Sequence, residues 1–408
     1  MASVSTVMNE QTLEKDTTAT VVKESNPKPM DSNANSTTIV PSTDTINVET
    51  EISTNTAVVT ASESSNTNCN DIAVLEDKRA AKCIGRSNKG VSWGYCMEQG
   101  RRSTMEDAAV VHPGFMEVCC KDVGGCMAPE CEHATKKSPV HFFGIFDGHG
   151  GDQVSTYCAN ELCEIVAQEW ERGSTLDGWS KRWEVAMCKA YERADNAFKD
   201  EALAPKSAGS TALVLIVSAC QIIAANCGDS RAVLCRGTQA IPLTADHKVS
   251  QCFSVSSLHL LLRLYVPKLD REDELERITS SGGRILNWGC LRVEGVLSMS
   301  RAIGDHDLKP WVISVPEVTF LTRTEEDECL ILASDGLWDV FSNEEVVKLA
   351  CKELRQQRRL RGVNDSPSPA WYVSQQVLKQ ALDACSYDNI SIIVVDLKIP
   401  KIRRQKKL

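Results

Sequence analysis

Apolar and polar positions alternate in short runs through most of the chain from about residue 90 to residue 398. The opening run, "GVSWGYCMEQGRRSTMEDAAVV", reads as strand, turn and strand, followed by a loop at 114–139 and a strand at 140–146. In "HFFGIFDGHGG" the residues Phe142, Phe143, Ile145 and Phe146 leave no polar face, as in a strand covered on both sides. Gly148, Gly150 and Gly151 then permit a sharp turn or a close backbone approach. Asp147 sits at the mouth of that strand, either as a cap for a helix starting near Gln153 or as a half-desolvated carboxylate that needs a partner. Helical spacing follows at 152–171 and 180–201, with charges on the outer faces. "STALVLIV", "QIIAANC" and "RAVLCRG" are successive short β runs, the pattern of an antiparallel meander. Residues 271–281 read as helix, "SGGRILNWG" as strand, and "ECLILASDGLWDV" as a buried strand ending in Asp-Gly. Helices at 343–360 and 371–384 and the strand "NISIIVVDLK" close the pattern. Strand runs interleaved with paired helices predict two packed sheets flanked by helices, not a parallel βαβ sheet.

Charge divides the chain unevenly. Residues 1–77 carry twelve acidic residues against three lysines and no aromatic residue, nine of the ten net negative charges of the 408-residue chain. Rich in Ser, Thr and Asn, the segment to about residue 85 is expected to be a disordered acidic tail, without the apolar core of a signal peptide. The nearly neutral remainder gives no support to nucleic-acid binding. No run approaches the roughly 18 apolar residues of a membrane span. Eighteen cysteines are scattered through strands and helices, which favours reduced thiols over a disulfide framework. The cluster "CCKDVGGCMAPECEH" (Cys119, Cys120, Cys126, Cys131, His133) lacks a C-x-x-C pair and reads as a cysteine-rich surface loop, with a zinc or redox site as the alternative.

One device recurs. Asp335-Gly336 follows "CLILAS" as Asp147-Gly148 follows "HFFGIF"; Asp388-Asn389 precedes the last strand, Glu106-Asp107 precedes "AAVV", and Asp229 follows "AANCG". Each acid alone is commonly a cap or turn residue. Five converging on one place would repel each other unless divalent cations lay among them, and carboxylate oxygens suit Mg²⁺ or Mn²⁺ better than zinc.

With "GRRSTMEDA", "FFGIFDGHGG", "GSTA", "NCGDSRAVLCRG", "LTADHK", "DREDELERI", "RVEGVLSMSRAIGD", "DECLILASDGLWDV" and "DNISIIVVDLK" in that order, residues 90–398 resemble the metal-dependent type 2C protein Ser/Thr phosphatases. The resemblance implies an α+β fold: a four-layer α-β-β-α sandwich, two antiparallel sheets flanked by helical pairs, with a binuclear metal site at one end. It also implies roles. Asp147 would bridge two Mg²⁺ or Mn²⁺ ions, Asp335 and Asp388 would hold the first, and the Gly148 carbonyl, with Glu106 acting through water, the second. Asp229 and Asp339 match acids that can help hold a third ion. A water between the two ions would act as the hydroxide that attacks phosphorus, Arg102 would clamp the phosphate, and His149 would protonate the leaving oxygen. Phosphoproteins, protein kinases among them, are the implied substrates of a monomeric enzyme.

A narrower resemblance is to the plant abscisic-acid-signalling branch (clade A). Trp288 stands where that branch carries its flap tryptophan, and the turn Gly209-Ser210-Thr211 lies beside it there, which implies hormone receptors as partners and negative regulation of stress signalling. The alternative is that Trp288 packs the flap. Cys290 and Leu291 replace smaller residues usual in the branch.

Two departures stand out. Between "DHK" and "DRED" the family has a proline, whereas here residues 249–269, "VSQCFSVSSLHLLLRLYVPKL", intervene at the root of the flap. Val249-Ser250 can be encoded by GTAAGT, a splice-donor sequence, so a retained intron is one reading; an insertion that docks a partner or a membrane surface is the other. Before Asp388, Cys385 replaces a glycine of the family, which predicts strain if that turn needs positive φ. The basic run "RQQRRLRG" reads as a solvated helix face, and the tail 399–408 as a nuclear import signal or a plain soluble tail, so nucleus, cytoplasm or both are the expected locations.

Overall fold

The computed structural model describes residues 90–125, 134–249, 271–360 and 367–398. The acidic tail, the basic tail 399–408, Cys126, Cys131 and His133, and all of the insertion except Val249 lie outside the described residues. In chain order the first elements are β1 (Ser92–Glu98), β2 (Ala108–Cys119), β3 (Lys137–Phe146), β4 (Gly148–His149), α1 (Gln153–Arg172), α2 (Trp179–Ala197) and β5 (Gly209–Ser210). Next come β6 (Ala212–Val217), β7 (Gln221–Cys227), β8 (Arg231–Arg236) and β9 (Gln239–Pro242), which do not form the expected single meander: β6 pairs with β7 in one sheet and β8 with β9 in the other, so the chain crosses between sheets at residues 228–230. Then come α3 (Glu272–Ser280), β10 (Ile285–Asn287), β11 (Leu291–Val293), β12 (Ile303–Gly304), β13 (Glu317–Thr322) and β14 (Asp327–Ala333). The last are α4 (Asp335–Trp338), α5 (Asn343–Leu360), α6 (Pro369–Asp383) and β15 (Ile390–Asp396).

Two five-stranded antiparallel sheets dominate, ordered β1-β15-β14-β8-β9 and β13-β7-β6-β3-β2. Period-2 alternation decides what each face of a strand buries. In β3, Phe143 and Ile145 meet Leu213, Leu215, Leu330, Leu332 and Ile393 in the layer between the sheets. Val140, Phe142 and Phe146 point the other way, onto α1 and α2. Ile331, Ala333, Ile392 and Val394 of the other sheet pack under α5 and α6. The result is the four-layer α-β-β-α sandwich. Each large apolar side chain fully buried in these layers contributes roughly 1.5–3 kcal/mol.

Local signals place the helices well. Ser368 caps α6, accepting the Trp371 N–H at 3.2 Å, and Pro369 takes the first helical position. Asp147 caps nothing: α1 begins after Asp152. The predicted loop at 114–139 is narrower than expected: β2 continues to Cys119 past a register break between His112 and Met116, and β3 already begins at Lys137. Among the described residues no helix is long and apolar enough to cross a membrane.

The expectation of reduced thiols fails at one described pair, since Cys235 and Cys351 are joined by a disulfide. Arg358 of "RQQRRLRG" also departs from a solvated face, pairing inward with Glu328 (2.8 Å) and Asp396.

Candidate active site

Antiparallel register explains why dispersed acids converge. Ala108 at the start of β2 pairs with Phe146 at the end of β3, and Leu213 near the start of β6 pairs with Ile145. In the other sheet Ala333, ending β14, pairs with Ile392 near the start of β15 and with Arg231 at the start of β8. Residues just outside those positions, Glu106, Asp147, Asp229, Asp335 and Asp388, therefore emerge at one end of the sandwich. Carboxylate oxygens of Asp147, Asp229 and Asp335 lie within 4.8 Å of one another.

Asp147 is held by its backbone: its N–H donates to Thr211 Oγ1 at 2.9 Å, and its carbonyl accepts from the Thr211 N–H at 2.9 Å. Burial, then the charges of Asp107, Asp335, Asp229 and Asp388, push its carboxyl well above the usual range. Asp107 is itself buried, with one oxygen accepting from Ser334 Oγ at 2.8 Å and the other, Oδ1, left without a hydrogen bond. Gly148 is required on steric grounds, since a Cβ there would lie 2.3 Å from the Glu106 carbonyl oxygen.

The grouping differs from the expected one in one respect. The closest triad contains Asp229, expected only at the third ion, rather than Asp388, which is engaged by the Arg102 guanidinium at 2.5 Å. Arg102 is half exposed and engages Asp388 through Nη2. Asp339 joins through Lys248, whose ammonium lies 3.2 Å from Asp229, 3.1 Å from Asp335 and 3.1 Å from Asp339. Lys248 is thus an internal counter-ion on the acid wall, and the three carboxylates hold it firmly protonated despite its burial.

His149 follows Gly148 in β4, and its Nε2 meets both oxygens of Asp305 at 2.8 and 2.9 Å. Burial would lower the imidazole pKa, but the hydrogen bond and charge of Asp305 outweigh it and raise it. Gly209 makes that pair possible: a Cβ there would fall 2.1 Å from Asp305 Oδ2 and 2.6 Å from His149 Nε2.

Gly209 and Ser210, expected at a partner surface, lie inside the site. Both are buried in β5, and Ser210 Oγ bonds the Asp147 carbonyl at 3.2 Å, which makes them supports of the site's interior. Trp288 is 76% exposed between β10 and β11. Cys385 adopts φ 64°, so it does occupy a left-handed turn that a glycine would suit better.

Asp305, Lys248 and Asp107 are the functional candidates that residue-by-residue reading missed. The first two stand in quoted motifs, "SRAIGD" and "DHK", but neither is an acid flanking a long apolar strand run, the signal that picked out the others. Asp107 was masked by its neighbour Glu106.

A donor set of clustered carboxylates and a strand-end carbonyl, with one buried carboxylate oxygen unpaired, fits hard divalent cations. The Protein phosphatase 2C family profile matches residues 93–252 and 268–390, leaving 253–267 unmatched within the proposed insertion. Probable protein phosphatase 2C 6 of Oryza sativa subsp. japonica is 43% identical over 329 residues, covering 75% of this chain and 66% of its own length. Protein phosphatase 2C 16 of Arabidopsis thaliana is 38% identical over 378 residues, covering 84% of this chain and 69% of its own length. In fold, the chain resembles a serine-threonine phosphatase 2C from Toxoplasma gondii, with TM-score 0.54 and 23% identity over 76% of this chain and 96% of that one. The chain belongs to the protein phosphatase 2C family, whose members are metal-dependent protein serine/threonine phosphatases.

Proposed function

We propose that this chain hydrolyses phosphoserine and phosphothreonine on proteins, protein kinases among them, as a negative regulator in plant abscisic-acid and stress signalling. The observation that carries the catalytic reading is the acid wall with Arg102 and the His149–Asp305 pair at its rim. Asp147, Asp335, Asp388, the Gly148 carbonyl and Glu106 would hold two Mg²⁺ or Mn²⁺ ions, and Asp229 with Asp339 a third. Those ions supply positive charge against the phosphate and lower the pKa of water near it.

The chain's own groups do the rest. Arg102 offers planar N–H donors to phosphate oxygens and orients them. His149, kept protonated by Asp305, gives its proton to the departing Ser or Thr oxygen. Lys248 limits the repulsion among Asp229, Asp335 and Asp339, and so keeps the wall folded.

The hormone-pathway assignment is supported by the exposed indole of Trp288, a rigid anchor with one donor N–H, and by similarity to plant relatives. We place the protein, as a monomer, in the nucleus, the cytoplasm or both. The test is release of phosphate from a phosphorylated plant kinase, with and without an abscisic acid receptor and the hormone. Hormone-dependent inhibition is expected, and hydrolysis unaffected by the receptor would overturn the pathway assignment.

A second reading is favoured by residues 253–267, which the family profile leaves unmatched: a splice variant impaired in catalysis that still grips receptors or kinases. The insertion starts one residue beyond Lys248, and Val249 is buried with its N–H on the Ser298 carbonyl at 2.9 Å. Its root is therefore tied to both the acid wall and the flap. Replacing residues 249–269 by a single proline separates the readings: equal activity in both chains supports the enzyme, and activity only in the shortened chain supports the impaired variant.

A further inference from the structure

A second cluster of ligand-type side chains lies far from the chemistry above, under α5. Cys235 of β8 and Cys329 of β14 are direct cross-strand partners, and Cys351 of α5 descends onto them from the helix layer. All three are buried, and their sulfurs lie within 4.8 Å of one another, with Cys329 Sγ and Cys351 Sγ 4.0 Å apart. Cys96, in the same core layer, is otherwise engaged, donating to the Ser374 carbonyl at 3.3 Å. Disulfide formation between Cys235 and Cys351 leaves Cys329 as the odd thiol. After reduction the site holds three convergent thiols.

The charges around the trio decide what it would hold. Arg358 is committed to Glu328 and Asp396, and Arg355 to the Gly237 carbonyl at 3.2 Å and Glu328 at 3.7 Å. The lysines beside Cys351 on α5, Lys348 and Lys352, are exposed to solvent rather than buried in the core layer. Three thiolates around a monovalent or divalent soft ion would leave net negative charge in an apolar core, which is expensive. A trivalent centre leaves none. Access exists from one side, since Cys351 also lines a surface groove with Val347, Lys348, Lys352, Arg355 and Thr238.

The geometry points to a three-thiol site, opened by reduction of the Cys235–Cys351 disulfide, for a trivalent thiophilic metalloid of the arsenite class. The exchange is balanced without redox change at the metalloid: As(OH)₃ and three R–SH give As(SR)₃ and three waters. The prior reduction consumes one phosphine and one water per disulfide, giving phosphine oxide and two thiols.

The test uses the full chain, reduced with a trialkylphosphine, desalted, exposed to sodium arsenite and weighed intact. One bound arsenic, displacing three protons, is expected to disappear in Cys329→Ala and to persist in Cys120→Ala and Cys385→Ala. It should be missing from chain that was never reduced. Arsenic that survives Cys329→Ala would overturn the site. X-ray absorption on the wild-type adduct guards against a misfolded variant: three sulfur neighbours support the proposal, and two sulfurs with an oxygen contradict it.

Discussion

The acid wall and the flap are built in opposite ways. The wall is assembled from the ends of six strands in two sheets, its acids grading from buried Asp107 and Asp229 to exposed Asp339, and it is braced by Lys248 on three carboxylates, by Ser334 on Asp107 and by Thr211 on the Asp147 backbone. The flap rests on a small apolar cluster, Val249, Ile278, Val293, Ala302, Leu308 and Val312, and on ion pairs such as Arg301–Glu274 (2.6 Å) and Arg284–Glu294 (2.6 Å). Its most prominent side chain, Trp288, touches water rather than core. Rigid strand ends suit chemistry that needs fixed charge. A lightly anchored hairpin suits recognition, and it is also where an insertion does least harm to the core.

If that contrast is right, substitutions in the two regions should separate catalysis from binding. The largest effect belongs to the wall: Asp147→Asn should lower phosphatase turnover on the order of a thousandfold while leaving the circular dichroism spectrum unchanged. His149→Ala should cost roughly 10²- to 10⁴-fold in turnover on a phosphothreonine peptide, with Asp305→Asn smaller and in the same direction. Activity retained in either would break the catalytic half of the comparison. In the flap, Trp288→Ala should leave peptide hydrolysis unchanged and weaken receptor binding, read by calorimetry, by about 2 kcal/mol or more.

The wall also predicts a pH signature for metal-free protein. Burial first, opposed by Lys248 and reinforced by Asp335, Asp246 and Asp339, pushes the Asp229 carboxyl up to about 7. Burial and Asp335 push Asp107 up to about 6 against its hydrogen bond from Ser334. A raised carboxyl pKa means the folded state keeps protons that the unfolded chain releases near 3.8. Their contribution to stability is full below that value and lost as pH rises through 6–7. Metal-free Tm should therefore fall across that window, Asp229→Asn should flatten the fall, and Mn²⁺ should raise Tm more at pH 8 than at pH 5.5. The smallest effect is at the turn before Asp388: Cys385→Gly should add about 1 kcal/mol in urea unfolding by relieving the left-handed Cβ.

The wall was more legible in the sequence than the flap, for a physical reason. Acids at the ends of apolar strands announce themselves, because strand period and turn chemistry fix where they point: Asp147 and Asp335 directly follow a strand, and Asp388 stands just before one. Asp305 and Lys248 escaped, since their positions depend on loops and long-range docking that no local pattern encodes. The buried setting of Ser210 was hidden for a related cause: a two-residue strand carries no periodicity, and only pairing with Gly148 and Ile303 turns it inward. Cys385 was legible, because left-handed φ has a simple steric rule. The Cys235–Cys351 bond was not, because pairing across a helix and a sheet leaves no trace in spacing.

The central claim is that the acid wall performs phosphate hydrolysis through bound divalent ions. Its most direct test is the initial rate of phosphate release from a phosphothreonine peptide by the full chain, in Mn²⁺, after chelation, and beside Asp147→Asn. The account predicts hydrolysis in Mn²⁺ that vanishes both on chelation and in the variant. Hydrolysis that persists without metal, or that survives Asp147→Asn, would contradict it.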